Sequence, residues 1–378
     1  MFNYNHYFSS IELVLFVAFA LFFAIQIYYY LRIYFPVLLY KNTNYPENLP
    51  VSVVICAKNE ADNLRKNLPF ILEQNHPKYE VIVVNDASTD DTAEVIGELL
   101  ARYKHLKTTS LPSMVDPKFT HGKKLAITVG IKAAQYDWVV FTDADCWPVS
   151  PNWLTTLQKG CKDKEIVLGY GGYEYQKGLL NNYIRYDTLS NALMYLGYAL
   201  IKKPYMGVGR NLAYMRELFF RNKGFANHYG ILSGDDDLFI SETSTSTNTA
   251  VVIDHDAITL SKANTSWSGF YKQKIRHLST ASAYKPVNLF RIGMEPVSRA
   301  WYYLLLPLNL LSDTFFIATL AMVSFRLVVQ ITIYLKAQRK FGERNIFLSF
   351  IIFDIASLLI NFLAYFALTI RRRHQTWK

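Results

Sequence analysis

The segment TDADC, residues 142–146, sets two carboxylates one residue apart behind an apolar run. Side chains alternate along an extended chain, so Asp143 and Asp145 are expected to face the same way. Paired hard oxygen ligands suit Mg2+ or Mn2+ held together with a diphosphate. A solvated turn has the same pattern. The segment SGDDDLF, residues 233–239, packs three consecutive acids into an apolar context. Neighbouring carboxylates repel, which raises the pKa of at least one, and a general base needs an available carboxylate. Asp235 and Asp236 are therefore candidate bases. A solvated acidic turn is the other reading, and the run is too short for a calcium-binding EF-hand loop.

Further polar residues stand at intervals along the middle of the chain. Asp86, in VNDASTDDT, can accept hydrogen bonds from a ribose or base; Ser88, Thr89 or Asp90 can equally cap a helix there. Asn59 and Glu60 follow VSVVICA, where a helix start is the plainer reading. Lys123 and Lys124 follow Gly122, at a helix entrance suited to a diphosphate. GVGRNLAY, with Gly209 and Asn211, is glycine-rich around a polar centre and lacks the dinucleotide-binding spacing. In YKQKIRHLS, Gln273 and Arg276 lie three apart on an expected helix face, with His277 next. Arg276 can clamp phosphate oxygens bidentately, and Trp267 nearby can stack on a sugar face. The plainer reading of that stretch is a basic interfacial helix.

These residues need a scaffold. VSVVICA (51–57), VIVVNDA (81–87) and WVVFTDA (138–144) read as buried parallel strands, with helices expected over 60–74 and 92–103. The alternation implies an α/β doubly wound sheet, whose ligands bind beyond the carboxyl ends of the strands. All three strands end in the polar residues above. Residues 13–31 run without a charge, long enough to span a bilayer. Arg32 and Lys41 follow that run, which places the N-terminus outside and the middle of the chain in the cytoplasm. Residues 300–335 are long enough for a tight hairpin or one tilted span, and 346–370 for one more. Asp313, Arg326 and Asp354 interrupt these runs, so the helices are expected to pack together or line a polar groove. The basic stretches 336–344 and 371–373 both look cytoplasmic although one span separates them; a re-entrant or interfacial helix would resolve this. The expected division is 1–45, 46–296 and 297–378. Residues 241–250 read as a loop, and 179–205 as either a membrane-surface helix or a core helix.

Composition agrees with this division. The chain has 378 residues, 51% hydrophobic, 19% charged, with a net charge of +10. Its basic residues cluster beside apolar stretches rather than in arms, which favours a membrane face and a phosphate-bearing substrate over nucleic acid. Three cysteines without CxxC spacing argue against a zinc site or disulfide framework and fit a reducing compartment.

Taken together and in order, these motifs over 51–285 resemble a family 2 glycosyltransferase of GT-A fold, a Rossmann-like mixed sheet, flanked by transmembrane helices. The resemblance implies a nucleotide-sugar donor, with UDP favoured, bound by Ala57, Asn59, Glu60, Asp86, Lys123, Asp143, Gly209 and Asn211. It also implies Mg2+ or Mn2+ on Asp143 and Asp145, a base at Asp235, and Gln273, Arg276 and His277 in place of a QxxRW motif. Two positions depart from the family. Gly234 stands where a glutamate is usual, leaving the base as Asp235 or Asp236, and His277 replaces tryptophan. The implied reaction is inverting transfer to a lipid-linked or membrane-proximal glycan acceptor at the cytoplasmic face of the cell membrane. A processive polysaccharide synthase, whose small membrane part a dimer would enlarge, is the alternative within the class. A non-catalytic sugar-nucleotide-binding scaffold and a metal-dependent phosphoryl transferase are the alternatives outside it.

Overall fold

The computed structural model describes residues 4–112, 122–231, 233–346 and 349–375. Contacts divide the chain into two compact units, 1–40 with 284–378, and 41–283.

The first unit opens with α1 (Tyr4–Tyr28), which passes through a π-helical turn, Tyr29–Tyr34, into α2 (Phe35–Leu39). The second unit follows the order β1 (Val51–Ala57), α3 (Ala61–Leu72), β2 (Tyr79–Asp86), α4 (Thr92–Arg102), β3 (Leu106–Leu111), α5 (Lys123–Ala133) and β4 (Trp138–Phe141). It continues with β5 (Cys146–Pro148), α6 (Trp153–Leu157), β6 (Ile166–Leu168), β7 (Gly171–Tyr173), α7 (Leu179–Leu200), β8 (Leu212–Met215) and α8 (Arg216–Arg221). It closes with α9 (Asp237–Thr243), β9 (Thr249–Val251), β10 (Thr259–Ser261) and α10 (Trp267–Thr280), after which the first unit resumes as α11 (Pro286–Leu310), α12 (Phe316–Lys340) and α13 (Phe350–Gln375).

Among the described residues the main sheet has the order β3-β2-β1-β4-β8-β6-β9. The first four strands are parallel, while β8 runs antiparallel to both β4 and β6. Valine and isoleucine fill β1 and β2 because both faces are covered, and neither strand alternates with polar residues. A smaller sheet, β5-β10-β7, lies beside it. Helix α5 crosses β1 and β2 at close range. A Cβ on Gly130 would stand 2.4 Å from Val54 Cγ1, so only glycine permits this approach. That seating carries the start of α5, with Lys123, over the carboxyl ends of the strands.

Several expectations need correction. The third strand stops at Phe141, so the 142–145 segment is a turn, closed by the Cys146 amide on the Asp143 carbonyl at 3.0 Å. Residues 241–243 finish α9 and 249–250 lie in β9, so 241–250 is a loop only in its middle. Of the two expected readings of 179–205 the core helix is the one seen, with α7 burying Tyr183, Tyr186, Leu189, Leu193 and Leu196. A boundary at 296/297 would cut α11, whose polar residues Glu295, Ser298 and Arg299 are buried and mask its helical span in hydropathy.

In the first unit, three helical segments among the described residues, Ser10–Leu39, Phe316–Lys340 and Phe350–Ile370, are long and apolar enough to cross a membrane. Residues 300–335 split into α11 and α12, so they form a hairpin rather than one span. The charges pair inside the bundle. Arg299 Nη1 and Arg326 Nη2 donate to the two oxygens of Asp354 at 2.7 and 2.9 Å, and the Tyr303 hydroxyl donates to the same carboxylate at 2.6 Å. Arg326 also donates to Gln26 and Gln330, joining α1, α11, α12 and α13. Removing one partner from such a buried cluster strands charge, whereas replacing the cluster by apolar groups is tolerated. Asp354→Ala should therefore destabilise the detergent-solubilised protein by about 3–5 kcal/mol. Arg299 also pairs with the buried Glu295 at 3.4 Å, so a quadruple Glu295→Leu, Arg299→Leu, Arg326→Leu, Asp354→Leu variant, which empties the whole cluster, should recover most of the loss in thermal unfolding. An unchanged midpoint in Asp354→Ala would contradict this account.

Candidate active site

The first two strands end in left-handed turns, Asn59 at φ 58° and Ala87 at φ 50°. A non-glycine residue there is costly unless neighbours hold it. Here the two turns hold each other. The Asn59 amide donates to Ser88 Oγ and its Oδ1 accepts from the Thr89 amide, at 3.0 and 2.8 Å. The Glu60 and Ala61 amides donate to Thr92 Oγ1 and Asp90 Oδ2, at 2.9 and 3.2 Å. The Ser88–Thr92 segment thus satisfies the first amides of α3, and Asp86 closes β2 beside it. There it is 5% exposed, with Lys58 Nζ at 3.8 Å.

The centre of the site is Lys123. Its Nζ lies 2.7 Å from Asp143 Oδ1 and 3.2 Å from Asp235 Oδ2, joining the turn after β4 to the acidic run before α9. The ammonium sits in an open cleft, enclosed by protein on several sides yet with its side chain 41% exposed. Enclosure disfavours its charge, but Asp143, Asp235 and Asp236 outweigh this and raise its pKa well above the ordinary value. Burial likewise pushes Asp143 up, while Lys123, with Arg210 and Arg276 further away, brings it below its ordinary range. Asp145 is raised by burial and by Asp143. Cys56, Phe141, Thr142, Gly209 and Tyr214 complete much of the cleft wall.

The three acids of the run are used differently. Asp235 faces Lys123. Asp236 accepts from the Gly209 amide at 2.6 Å and from the Asp237 amide at 2.8 Å, capping α9. Burial, then Asp235 and Asp237, push it up to about 7. Asp237 turns away and accepts from the Thr280 hydroxyl at 2.5 Å, tying the run to the end of α10. Gly234 has φ 96°, and a Cβ there would meet Leu238 at 2.5 Å. A glutamate at that position would be strained and would clash, which accounts for the departure from the family pattern.

The ligand atoms of Asp143, Asp145 and Cys146 lie within 4.8 Å of one another. The turn, not strand alternation, brings the two carboxylates together. Two hard oxygens fit a divalent cation. Cys146 does not add to the set, because burial and the two acids push its thiol well up and keep it protonated.

The remaining expected residues divide. Glu60 feels Asp143 and Asp145: burial, relieved in part by Asn63, and these two charges raise its carboxyl. Ala57 is buried at the end of β1, and Gly209 lies in the cleft wall. Asn211 is not in the cleft. It is fully buried, accepting from Trp153 Nε1 at 3.1 Å and donating to the carbonyls of Tyr170 and Ala257. Its polarity serves the core, since every group of its amide is already engaged. Lys124 is also turned inward, donating to the His228 and Ile231 carbonyls at 2.6 and 2.8 Å. Gln273 reaches the Tyr173 hydroxyl at 3.3 Å, while Arg276 and His277 are exposed on α10. Arg210 escaped the sequence reading. Its guanidinium carbon lies 4.2 Å from the Tyr173 ring centre, and a lone arginine in a glycine-rich stretch gives no signal of such a setting.

Residues 52–221 match the model of the family Glycosyl transferase family 2, and this segment is a family 2 glycosyltransferase domain. The poly-beta-1,6-N-acetyl-D-glucosamine synthase of Staphylococcus epidermidis is 31% identical over 108 residues, 29% of this chain and 24% of that protein. The synthase of Staphylococcus aureus strain MSSA476 is 35% identical over 102 residues, 27% of this chain and 23% of that protein. The chain thus spans about a quarter of the length of the curated relatives it matches. A mannosyltransferase from Pyrobaculum calidifontis, solved with GDP-Man and Mn2+, is 19% identical with a TM-score of 0.55 and covers 93% of this chain and 98% of that one. That likeness shows the GT-A fold.

Asp236 supplies a test by titration. Its pKa is raised from the ordinary carboxylate value to about 7 on folding. The folded chain therefore holds a proton that the unfolded chain has lost. The associated stability is fully present below about pH 4 and disappears as pH rises through about 7. Asp236→Asn removes this term, so its thermal midpoint relative to the parent should improve between pH 5 and pH 8. A difference that stays constant over that interval would contradict the burial and repulsion described here.

Proposed function

We propose that the chain is an inverting, metal-dependent glycosyltransferase of the membrane. It moves a sugar from a nucleoside-diphosphate sugar to a hydroxyl of a lipid-linked or membrane-proximal glycan at the cytoplasmic face. The observation that carries this reading is the Lys123 bridge between Asp143 and Asp235, which sets a metal-type acid pair, a cation and a base-type acid in one cleft. The donor class follows the family, with a UDP-sugar favoured. The basic residues Arg32, Lys41, Lys336, Arg339, Lys340 and Arg344 at helix ends support the cytoplasmic orientation.

In this mechanism Asp235 or Asp236 accepts the proton of the acceptor hydroxyl. The acceptor oxygen bonds to the anomeric carbon as the bond to the diphosphate oxygen breaks, and the nucleoside diphosphate leaves. Lys123 and Arg276 neutralise that leaving group. Asp143 and Asp145 would hold Mg2+ or Mn2+, whose charge when bound also favours diphosphate departure. In this reading Asp86, at the end of β2, accepts hydrogen bonds from the nucleoside.

The relatives' name, a poly-beta-1,6-N-acetyl-D-glucosamine synthase, favours a second reading in which many sugars are added to one growing chain. One assay addresses both. Protein purified in detergent is given a panel of nucleotide-sugars with Mn2+ or Mg2+ and membrane lipid extract, and nucleoside-diphosphate release is followed. Release from one donor is expected, reduced at least about 100-fold in Asp145→Asn and Asp235→Asn. Sizing the labelled product separates single addition from polymer. Release that survives both substitutions, or none with any donor while nucleotide still binds, would overturn the transferase reading in favour of a binding scaffold.

A further inference from the structure

Arg210 has no part in the mechanism above, yet it is a tightly held cation near the acid pair. Its carbonyl accepts from Thr142 Oγ1 at 3.1 Å and from Thr259 Oγ1 at 2.9 Å, which fixes its backbone beside the residue preceding Asp143. Its Nη1 donates to the Gly172 carbonyl at 3.1 Å and to Ser261 Oγ at 3.2 Å. Its guanidinium lies over Tyr173, whose hydroxyl accepts from Gln273 Nε2 at 3.3 Å. Gln273 is in turn held by Asn264 at 2.6 Å. Backbone, one nitrogen and one face are thus all committed within the protein.

What is left over has a definite shape. A guanidinium carries five N–H donors in a planar fork. The two on Nη1 are used, and Nε with Nη2, the side-on edge, have no protein partner among the described residues. No carboxylate forms an ion pair with Arg210 there either, although the charges of Asp143 and Asp145 are close enough to feel it. The side-on edge matches two oxygens of one phosphoryl group, and a fork already immobilised loses little entropy on binding. The chain neighbour Gly209 donates to Asp236, so the same loop touches the acidic run.

We propose that the side-on edge of Arg210 binds phosphoryl oxygens in this cleft, as a second phosphate-binding arginine beside Arg276. The inference rests on the glycosyl-transfer reading for the identity of the cleft. The phosphoryl group belongs either to the donor diphosphate or to a phosphate at the head of a lipid acceptor. Gln273 then acts as a positioning residue, through Tyr173.

The test uses the full chain in detergent with Mn2+ present. UDP and GDP are each compared with their nucleosides, and a polyprenyl phosphate with its polyprenol, in the parent and in Arg210→Met. Arg210→Lys keeps the charge without the side-on edge, and Tyr173→Leu removes the support; thermal midpoints check that each variant folds. If the donor is the source, Arg210→Met weakens diphosphate binding about 10- to 100-fold and leaves nucleoside binding unchanged. If the acceptor is the source, the preference for polyprenyl phosphate over polyprenol falls by a similar factor. In both cases Arg210→Lys and Tyr173→Leu move the same way. Unchanged phosphate binding in Arg210→Met, with only a rise in Mn2+ affinity, overturns the proposal and leaves Arg210 as a counter-charge to the acids. A parent protein that binds none of these phosphates overturns the transferase reading as well.

Discussion

Two carboxylates that would repel one another are held apart and in register by one ammonium. Lys123 reaches Asp143 on one side and Asp235 on the other, and those acids come from segments far apart in the chain. Its position follows from the sheet. Gly130 lets α5 lie close on β1 and β2, and the start of that helix then projects over the strand ends. Were α5 lifted by a larger residue, the ammonium would leave the acids and two carboxylates would face each other unscreened in a partly buried cleft.

The surrounding bonds keep the acids distinct. A three-acid run in a less structured loop would titrate as one diffuse group. Here Asp235 is paired, Asp236 is capped by two amides and pushed up, and Asp237 is anchored to Thr280. Repulsion between neighbours is thereby converted into three different chemical roles, one of them a carboxyl poised near pH 7. The membrane-type unit applies the same rule for a different end. Asp354 takes two guanidiniums and a phenol, so charges within apolar helices become packing contacts rather than a solvated groove.

Much of this was legible in the residues. Valine-rich runs gave β1, β2 and β4 because buried parallel strands carry no alternation to confuse, and the acids following them marked the cleft. Other features were not, for identifiable reasons. The Asp143–Asp145 pair meets through a turn, which the spacing of two acids does not distinguish from a strand. Asn211 looks like a site residue because its use lies in Trp153, Tyr170 and Ala257, all distant in sequence. Lys123 and Lys124 are indistinguishable as letters, and only the helix orientation sends one to the acids and the other to the His228 carbonyl. Helix α11 was hidden at its start because its buried face is polar.

The claim on which the account turns is that Asp143 and Asp145 hold a divalent cation together with a diphosphate, in a cleft whose charge Lys123 sets. Electron paramagnetic resonance of Mn2+ added to the purified protein, with and without UDP or GDP, measures this without requiring turnover or an acceptor. The account predicts a bound-Mn2+ signal that strengthens when one of the nucleotides is added and is lost in both Asp143→Asn and Asp145→Asn. Mn2+ binding that is indifferent to nucleotide, or undiminished in both variants, would contradict it.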